Sequence, residues 1–306
     1  MFKFSRLKFL KSLDILQEDN PILKKHYPVM HKEILERVLA FQKKTLKNSI
    51  DMVDCTIGTG AHSQILLEHV KNLKILGLDI DERMIKNLPQ NITAKQDNFI
   101  NFYKHRTLSD TKYFDIIFAD LGYNINQVYD ESYGLSYKKN SLLDMRYSQS
   151  IQYTAADLLN NRSQQELREI FYNYGNIHKA NQLAKIIIDN RQKEKFERAN
   201  QMIDILNELS MGDQIMKTFQ ALRIAVNQEI NNLNLFLEKV QSQQIVDKQL
   251  ILIITFHSLE AESVQKFIMK FKKQFSMKTI KPSEDEIKEN PRSRSALLFE
   301  IINKSI

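Results

Sequence analysis

The sequence predicts an α/β protein whose parallel sheet is interrupted by an all-helical insertion. Between about 50 and 122, short apolar runs (Met52 to Ile57, Ile75 to Ile80, Phe114 to Leu121) alternate with helical or polar segments. That alternation builds a parallel sheet with crossover helices. From about 150 to 245 the pattern turns almost wholly helical. Sheet character returns at Leu250 to Phe256, too apolar to be anything but a buried strand or a core helix, and near Leu297 to Ile302. No linker rich in Gly, Pro or Ser separates these parts, so an insertion into one α/β domain explains the order better than two consecutive domains.

The helical block opens on a capping box, Ser163 with Glu166, followed by Leu167, Ile170, Phe171 and Tyr174 on one face and Gly175 as a stop. In the next helix Ile177, Ala180, Leu183, Ala184, Ile187 and Ile188 recur at three- and four-residue steps, while Lys179, Lys185 and Asp189 fall elsewhere. A charged segment, Arg191 to Arg198, leads into a third helix and then one long helix from about Ile215 to Val240. No longer period recurs, which excludes a solenoid.

With 306 residues, 42% of them hydrophobic, the chain can bury one large core or two that share an interface. The net charge of +7 points toward a polyanionic partner. The Lys- and Asn-rich composition, with 7 Gly and 5 Pro, fits an AT-biased genome equally well. The single cysteine, Cys55, excludes an internal disulfide and a Cys-based zinc site and points to a reducing compartment. No apolar run approaches the roughly 20 residues of a membrane-spanning helix. The N-terminal MFKFSRLKFLKSL carries Lys3, Arg6, Lys8 and Lys11 before the first acid, Asp14. It reads either as an organellar transit peptide or as a basic arm.

The strongest local signal is ValAspCysThrIleGlyThrGlyAlaHisSer (53 to 63), where a strand runs through a loop with Gly58 and Gly60 into a helix. Glycines there let backbone approach a ligand, and the helix N-terminus offers free amides. About twenty residues on, Asp79 ends the run IleLeuGlyLeuAsp, where a doubly wound fold places an acid for ribose hydroxyls. That spacing does not separate a dinucleotide from S-adenosylmethionine. Asp120 ends the next apolar strand on the same sheet edge, where it can meet the adenine side of a cofactor or the amino group of an incoming base.

Eight blocks then occur in order: HisTyrProValMet (26 to 30), AspCysThrIleGlyThrGlyAlaHisSer (54 to 63), AspLeuGly (120 to 122), LeuAspMetArg (143 to 146), ThrAlaAlaAsp (154 to 157), ThrPheGlnAlaLeuArgIleAlaValAsn (218 to 227), PheHisSerLeuGlu (256 to 260) and ProArgSerArgSerAla (291 to 296). Together they resemble the ribosomal RNA small subunit methyltransferase H family. The resemblance implies a Rossmann-like, S-adenosylmethionine-dependent methyltransferase domain (26–128 and 218–306) with an inserted helical domain (129–217), after an N-terminal arm (1–25). It implies N4-methylation of a cytidine in small-subunit ribosomal RNA, free or within the small ribosomal subunit. A homodimer is an allowed assembly, and no membrane insertion is expected.

Carried over by motif position, Gly60, Ala61, His62, Asp79, Phe99, Asp120 and Gln127 would line the cofactor site, together with Gly58. Phe99, in the GlnAspAsnPhe segment, reads equally as core. Asp120 would also be the catalytic acceptor, since the cytosine amino lone pair is delocalised and acceptors must pull on its hydrogens. The base must leave its stack to be reached. Asp144, Arg146, Arg223, Asn227, His257, Arg292 and Arg294, all inside matched blocks, are assigned to RNA or base contact. For the arginines, pairing to acids is the competing assignment. His62 and His257 have no partner at ligand spacing, so packing roles are expected and no metal.

The chain departs from the family in two places. GlyThrGlyAla, with Thr59 and Ala61, replaces a loop richer in glycine. After AspLeuGly, TyrAsnIleAsnGln (123 to 127) stands where the family has ValSerSerProGln. The second departure keeps an alternative open, a catalytically impaired relative serving as a ribosome assembly factor or structural subunit. A dehydrogenase would rest on the loop and Asp79 alone. The compartment expected is the mitochondrial matrix, with the cytoplasm of an AT-rich bacterium as the alternative.

Overall fold

A computed structural model describes residues 28–109, 113–243 and 248–304. The basic segment 1–25, and His26 and Tyr27 of the first block, lie outside them. The chain divides into two compact units, one holding residues up to Gly122 and from Leu233 onward, the other Tyr123–Asn232. The expected insertion, 129–217, lies inside the second unit, which extends beyond it at both ends.

The first unit is built on one sheet of seven strands among the described residues: Ile50–Asp54 (β1), Leu73–Asp79 (β2), Thr93–Gln96 (β3), Ile116–Asp120 (β4), Leu250–Thr255 (β5), Phe275–Ile280 (β6) and Leu297–Asn303 (β7). Their order is β3-β2-β1-β4-β5-β7-β6. The first five run parallel, and β7 lies antiparallel between β5 and β6. The central strands β1 and β5 are buried along their whole length; β5 accordingly reads as a nearly unbroken apolar run, whereas β1 also buries Asp51 and Asp54. Their residues alternate between two cores. Val53, Ile117, Ile251 and Ile253 face Phe102, Phe236 and Val264; Met52, Ile116, Leu252 and Ile254 face Ile34, Leu35 and Val38 of the helix His31–Thr45 (α1). At about 1.5–3 kcal/mol per buried apolar side chain, these layers hold the strand ends in place.

β3 and β6 were not foreseen. Both are sheet edges with mostly exposed side chains, so neither the continuous nor the alternating apolar pattern develops. The helix Ala61–His69 (α2) follows the loop after β1, and the short helix Glu82–Ile85 (α3) follows β2.

The second unit packs the helices Ile125–Tyr129 (α4), Ala155–Asn161 (α5), Gln164–Gly175 (α6), Ala180–Arg191 (α7), Ala199–Glu208 (α8) and Ile215–Asn227 (α9) around Leu167, Phe171, Leu183, Ile187, Met202 and Leu222. The Ser163 capping box forms as read, with both bonds to Glu166. Gly175, however, is not the stop. It is the last residue of α6, and the left-handed C-cap is Asn176, φ 49°. Gly175 answers instead to space, because a Cβ there would lie 3.2 Å from the Lys217 carbonyl oxygen. The expected long helix from Ile215 to Val240 is two helices, α9 and Glu229–Ser242 (α10), broken at Gln228 with φ 50°. Asn227 anchors the break: Nδ2 donates to the Met145 and Arg223 carbonyls while Oδ1 accepts the Tyr147 amide.

Gly134 shows the tightest constraint. It has φ 63°, and a Cβ there would fall 2.2 Å from the Leu142 carbonyl oxygen. Gly134→Ala should therefore destabilise the helical unit by at least about 1–2 kcal/mol, seen as a lower urea midpoint by circular dichroism. An unchanged midpoint would show that this turn relaxes freely.

Candidate active site

The loop after β1 continues the pairing of its neighbours beyond the end of the strand. The amides of Cys55 and Ile57 donate to Phe118 and Leu78 carbonyls at 2.8 Å. The Gly58 amide then donates to Asp79 Oδ2 at 2.9 Å, and the Asp120 amide donates to Thr56 Oγ1 at 2.7 Å. The strand ends of β1, β2 and β4 are thereby tied into one edge carrying Gly58, Gly60, Ala61, His62, Asp79 and Asp120. Gly60 sits at φ 79° as the N-cap of α2, where a Cβ would come within 2.9 Å of Leu88 Cδ2. Ala61 is buried in the first turn that follows, so its methyl group is accommodated.

Asp79 accepts one backbone amide on each oxygen, from Gly58 and from Asp81 at 2.8 Å, which leaves a second lone pair on each. Burial pushes its carboxyl up to about 6 against these bonds. Beyond β3, Asp97 fixes the GlnAspAsnPhe segment by accepting from Asn98, Asn101 and His105 at 2.7–2.8 Å. Phe99 packs edge-on against Phe236 with centroids 5.4 Å apart.

Asp120 has one oxygen, Oδ1, shielded from solvent with no hydrogen-bond partner among the described residues. Oδ2 lies 3.7 Å from His62 Nδ1, and the other ring nitrogen of His62, Nε2, donates to the Val29 carbonyl at 2.9 Å. Burial, then Asp54 and Glu260, push the Asp120 carboxyl well above the usual range. A buried acceptor without a donor is costly unless something supplies one.

Asp54, Thr56, Ser63 and Glu260 complete this edge and were missed. Asp54 is fully buried, accepts Ser63 Oγ at 2.6 Å and the Thr56 amide at 3.3 Å, and is pushed by burial up to about 7. Nothing local in the sequence marks it. Glu260 was legible, since HisSerLeuGlu (257 to 260) has the spacing of a capping box. Its Oε2 accepts the Phe256 and His257 amides and its Oε1 lies 3.2 Å from His257 Nε2. His257 is thus engaged at the start of the helix Ser258–Lys270 (α11). Arg292 and Arg294 are exposed on the 3₁₀ turn Pro291–Ser295. That turn enters β7 where Leu297 pairs with Thr255, at the end of β5.

The raised Asp54 carboxyl has a pH consequence. The folded state holds this proton to about 7, whereas the unfolded chain loses it near 3.8. Its contribution to stability is therefore present below the unfolded value and lost as pH rises through the folded one. Between about pH 5.5 and about pH 8, Asp54→Asn should lose less stability than the wild type, by roughly 2 kcal/mol. Urea unfolding at both pH values checks this; equal losses would overturn it.

The remaining candidates lie in the helical unit and are largely committed to one another. Arg146 grips Asp144 through Nε and Nη2, both at 2.8 Å, and donates to the Ile151 carbonyl and Gln149 Oε1. Arg223 pairs with Glu229 through Nε at 2.8 Å and Nη2 at 3.0 Å. Gln127 and Asn124 form the capping box of α4, with Gln127 Oε1 accepting the Asn124 amide at 2.9 Å. The segment that departs most from the family is therefore an ordered helix start.

A mostly parallel sheet with a glycine-bearing loop, two acids at the ends of β2 and β4 on either side of β1, and a helical unit between β4 and β5 defines a Rossmann-like methyltransferase. S-adenosylmethionine is the methyl donor of this class, and the loop, the open lone pairs of Asp79 and the orphaned Asp120 oxygen fit it. A sequence model of the MraW methylase family matches residues 23–304, and the chain belongs to that family. Over 291 residues it is 34% identical to a protein of Dictyoglomus thermophilum named ribosomal RNA small subunit methyltransferase H, covering 89% of this chain and 95% of that one. Proteins of the same name from Sulfurihydrogenibium sp. and Mesomycoplasma hyopneumoniae are 34% and 33% identical, each over 89% of this chain and 97% of their own.

Proposed function

We propose that this protein transfers a methyl group from S-adenosylmethionine to N4 of a cytidine in small-subunit ribosomal RNA. The observation that carries the reading is the shielded, donorless Oδ1 of Asp120 at the end of β4, an acceptor suited to an exocyclic amino group. The cofactor supplies the methyl as a sulfonium electrophile. The protein's part is to hold the amino nitrogen in line, withdraw its hydrogens and exclude water. Asp79 is assigned the ribose hydroxyls, and Gly58, Gly60, Ala61 and His62 the loop around the cofactor. Phe99 and Gln127 are assigned to the same pocket. The exposed Arg292 and Arg294 are the foremost phosphate contacts; Asp144, Arg146, Arg223, Asn227 and His257 support the RNA surface. The bacterial relatives favour the cytoplasm over a mitochondrial matrix, and among the described residues no helix is long and apolar enough to cross a membrane.

Small ribosomal subunits lacking the modification, incubated with the protein and labelled S-adenosylmethionine, should yield N4-methylcytidine on nuclease digestion and mass spectrometry. Label on another base would overturn the substrate assignment. Calorimetric titration with S-adenosylmethionine should show saturable binding that Asp79→Ala weakens roughly 10- to 100-fold, the loss of a buried charged acceptor. No binding by the wild type at about millimolar ligand would instead favour the assembly-factor reading.

A further inference from the structure

Tyr123 is a large aromatic left 44% exposed, and isolated exposed rings ordinarily need no explanation. This ring is unusual because a buried polar network fixes it. The Arg223 guanidinium lies over one face, 4.8 Å from the centroid. Arg223 cannot swing away, since Glu229 holds its Nε and Nη2, and Glu229 Oε1 also accepts the Tyr147 hydroxyl at 2.8 Å. The Tyr147 amide in turn donates to Asn227 Oδ1.

Two other exposed tyrosines of this unit, Tyr153 and Tyr172, also carry an arginine over the ring, at 5.5 and 5.8 Å. Arg162, over Tyr153, is itself paired with a half-exposed Glu166, so that stack stands in solvent. At Tyr123 the ion pair beneath the ring is largely buried, with side chains 15% and 9% exposed. Burying charge is expensive, and here it holds one face of a ring that stays 44% exposed. A fixed plane of this kind suits a nucleobase, because stacking needs a π-face and loses least entropy when that face is already rigid.

We propose that Tyr123 is a stacking shelf for a nucleobase of the RNA substrate, an inference that rests on the function proposed above. Because it occupies a valine position of the family pattern, the shelf is a property of this chain.

The test compares wild type, Tyr123→Ala and Tyr123→Phe. Three quantities are measured: methylation of small ribosomal subunits, affinity for S-adenosylmethionine, and saturation-transfer NMR of free cytidine through its ring protons. Tyr123→Ala should lower kcat/KM for subunits by roughly 10- to 100-fold, chiefly through KM, and lose the cytidine ring signal. Tyr123→Phe, which keeps the ring, should restore most of both, and cofactor affinity should not change in either. The shelf is overturned if Tyr123→Ala matches the wild type in both substrate readouts, or if Tyr123→Phe fails as alanine does. If the wild type methylates no ribosomal RNA, the proposed reaction fails by itself, and the cytidine signal in the three proteins still decides the shelf.

Discussion

Asp120→Asn should reduce methyl transfer by about 10²- to 10⁴-fold, the range expected when a positioned proton acceptor is lost, with the fold and S-adenosylmethionine affinity retained. The backbone at this position is held independently of the side chain, through the amide bonded to Thr56 Oγ1, so the amide variant keeps the strand end in place. What it loses is basicity at Oδ1, which has no donor among the described residues. Asn also cannot carry the negative charge that attracts an amino group becoming positive as it attacks. Burial beside Asp54 and Glu260 holds the Asp120 carboxyl well above the usual range, so wild-type kcat/KM should rise with pH as this group ionises. The asparagine variant should lack that rise. Its stability supplies a control, because removing a strained buried acid should leave the protein no less stable at alkaline pH. A variant retaining more than about a tenth of wild-type activity would remove Asp120 from the chemistry.

The second large effect is on stability and concerns the helical unit. Arg223→Met should destabilise it by about 3–5 kcal/mol, the cost of leaving one member of a buried ion pair without the other. Burial opposes the Arg223 charge, yet Glu229 and its neighbours raise the guanidinium further into its charged range. The Tyr147 phenol, buried against Glu229, is likewise held well above its usual value. Removing the arginine takes the bidentate cation from the Glu229 carboxylate and leaves the Tyr147 hydroxyl as a neutral donor to it. The double variant Arg223→Met/Glu229→Gln should recover a substantial part of the loss, since a neutral pair carries no desolvated charge. Urea unfolding followed by helical circular dichroism measures all three proteins. A single-variant loss below about 1 kcal/mol would show that solvent already screens the pair.

What could be read in advance was whatever a short stretch of chain decides. β4 and β5 announced themselves because strands buried on both faces are mostly apolar, and β1 did so through its apolar core ahead of the glycine loop. The Ser163–Glu166 capping box was legible because both partners lie within one helical turn. The placing of Asp79 and Asp120 on one sheet edge was legible too, because parallel strands all end on the side opposite their starts.

Tertiary structure alone decided the rest, because the deciding partner was far away in the chain. β3 and β6 are strands by virtue of the neighbours they pair with, their own side chains being mostly solvated. The break at Gln228 depends on Asn227 reaching Met145 and Tyr147, some eighty positions earlier. Arg223 is a conspicuous cation in a matched block, yet which acid holds it, and which ring it covers, is set by how α9 turns into α10 and where Tyr123 enters the unit. Asp54 looks like any acid at a strand end. Only the closing of the sheet over it, with Ser63 as donor, turns it into a carboxyl pushed up to about 7. Residue type and order were enough to indicate a methyltransferase; desolvation and long-range pairing, properties of the folded chain alone, determined which of its charges are available for chemistry.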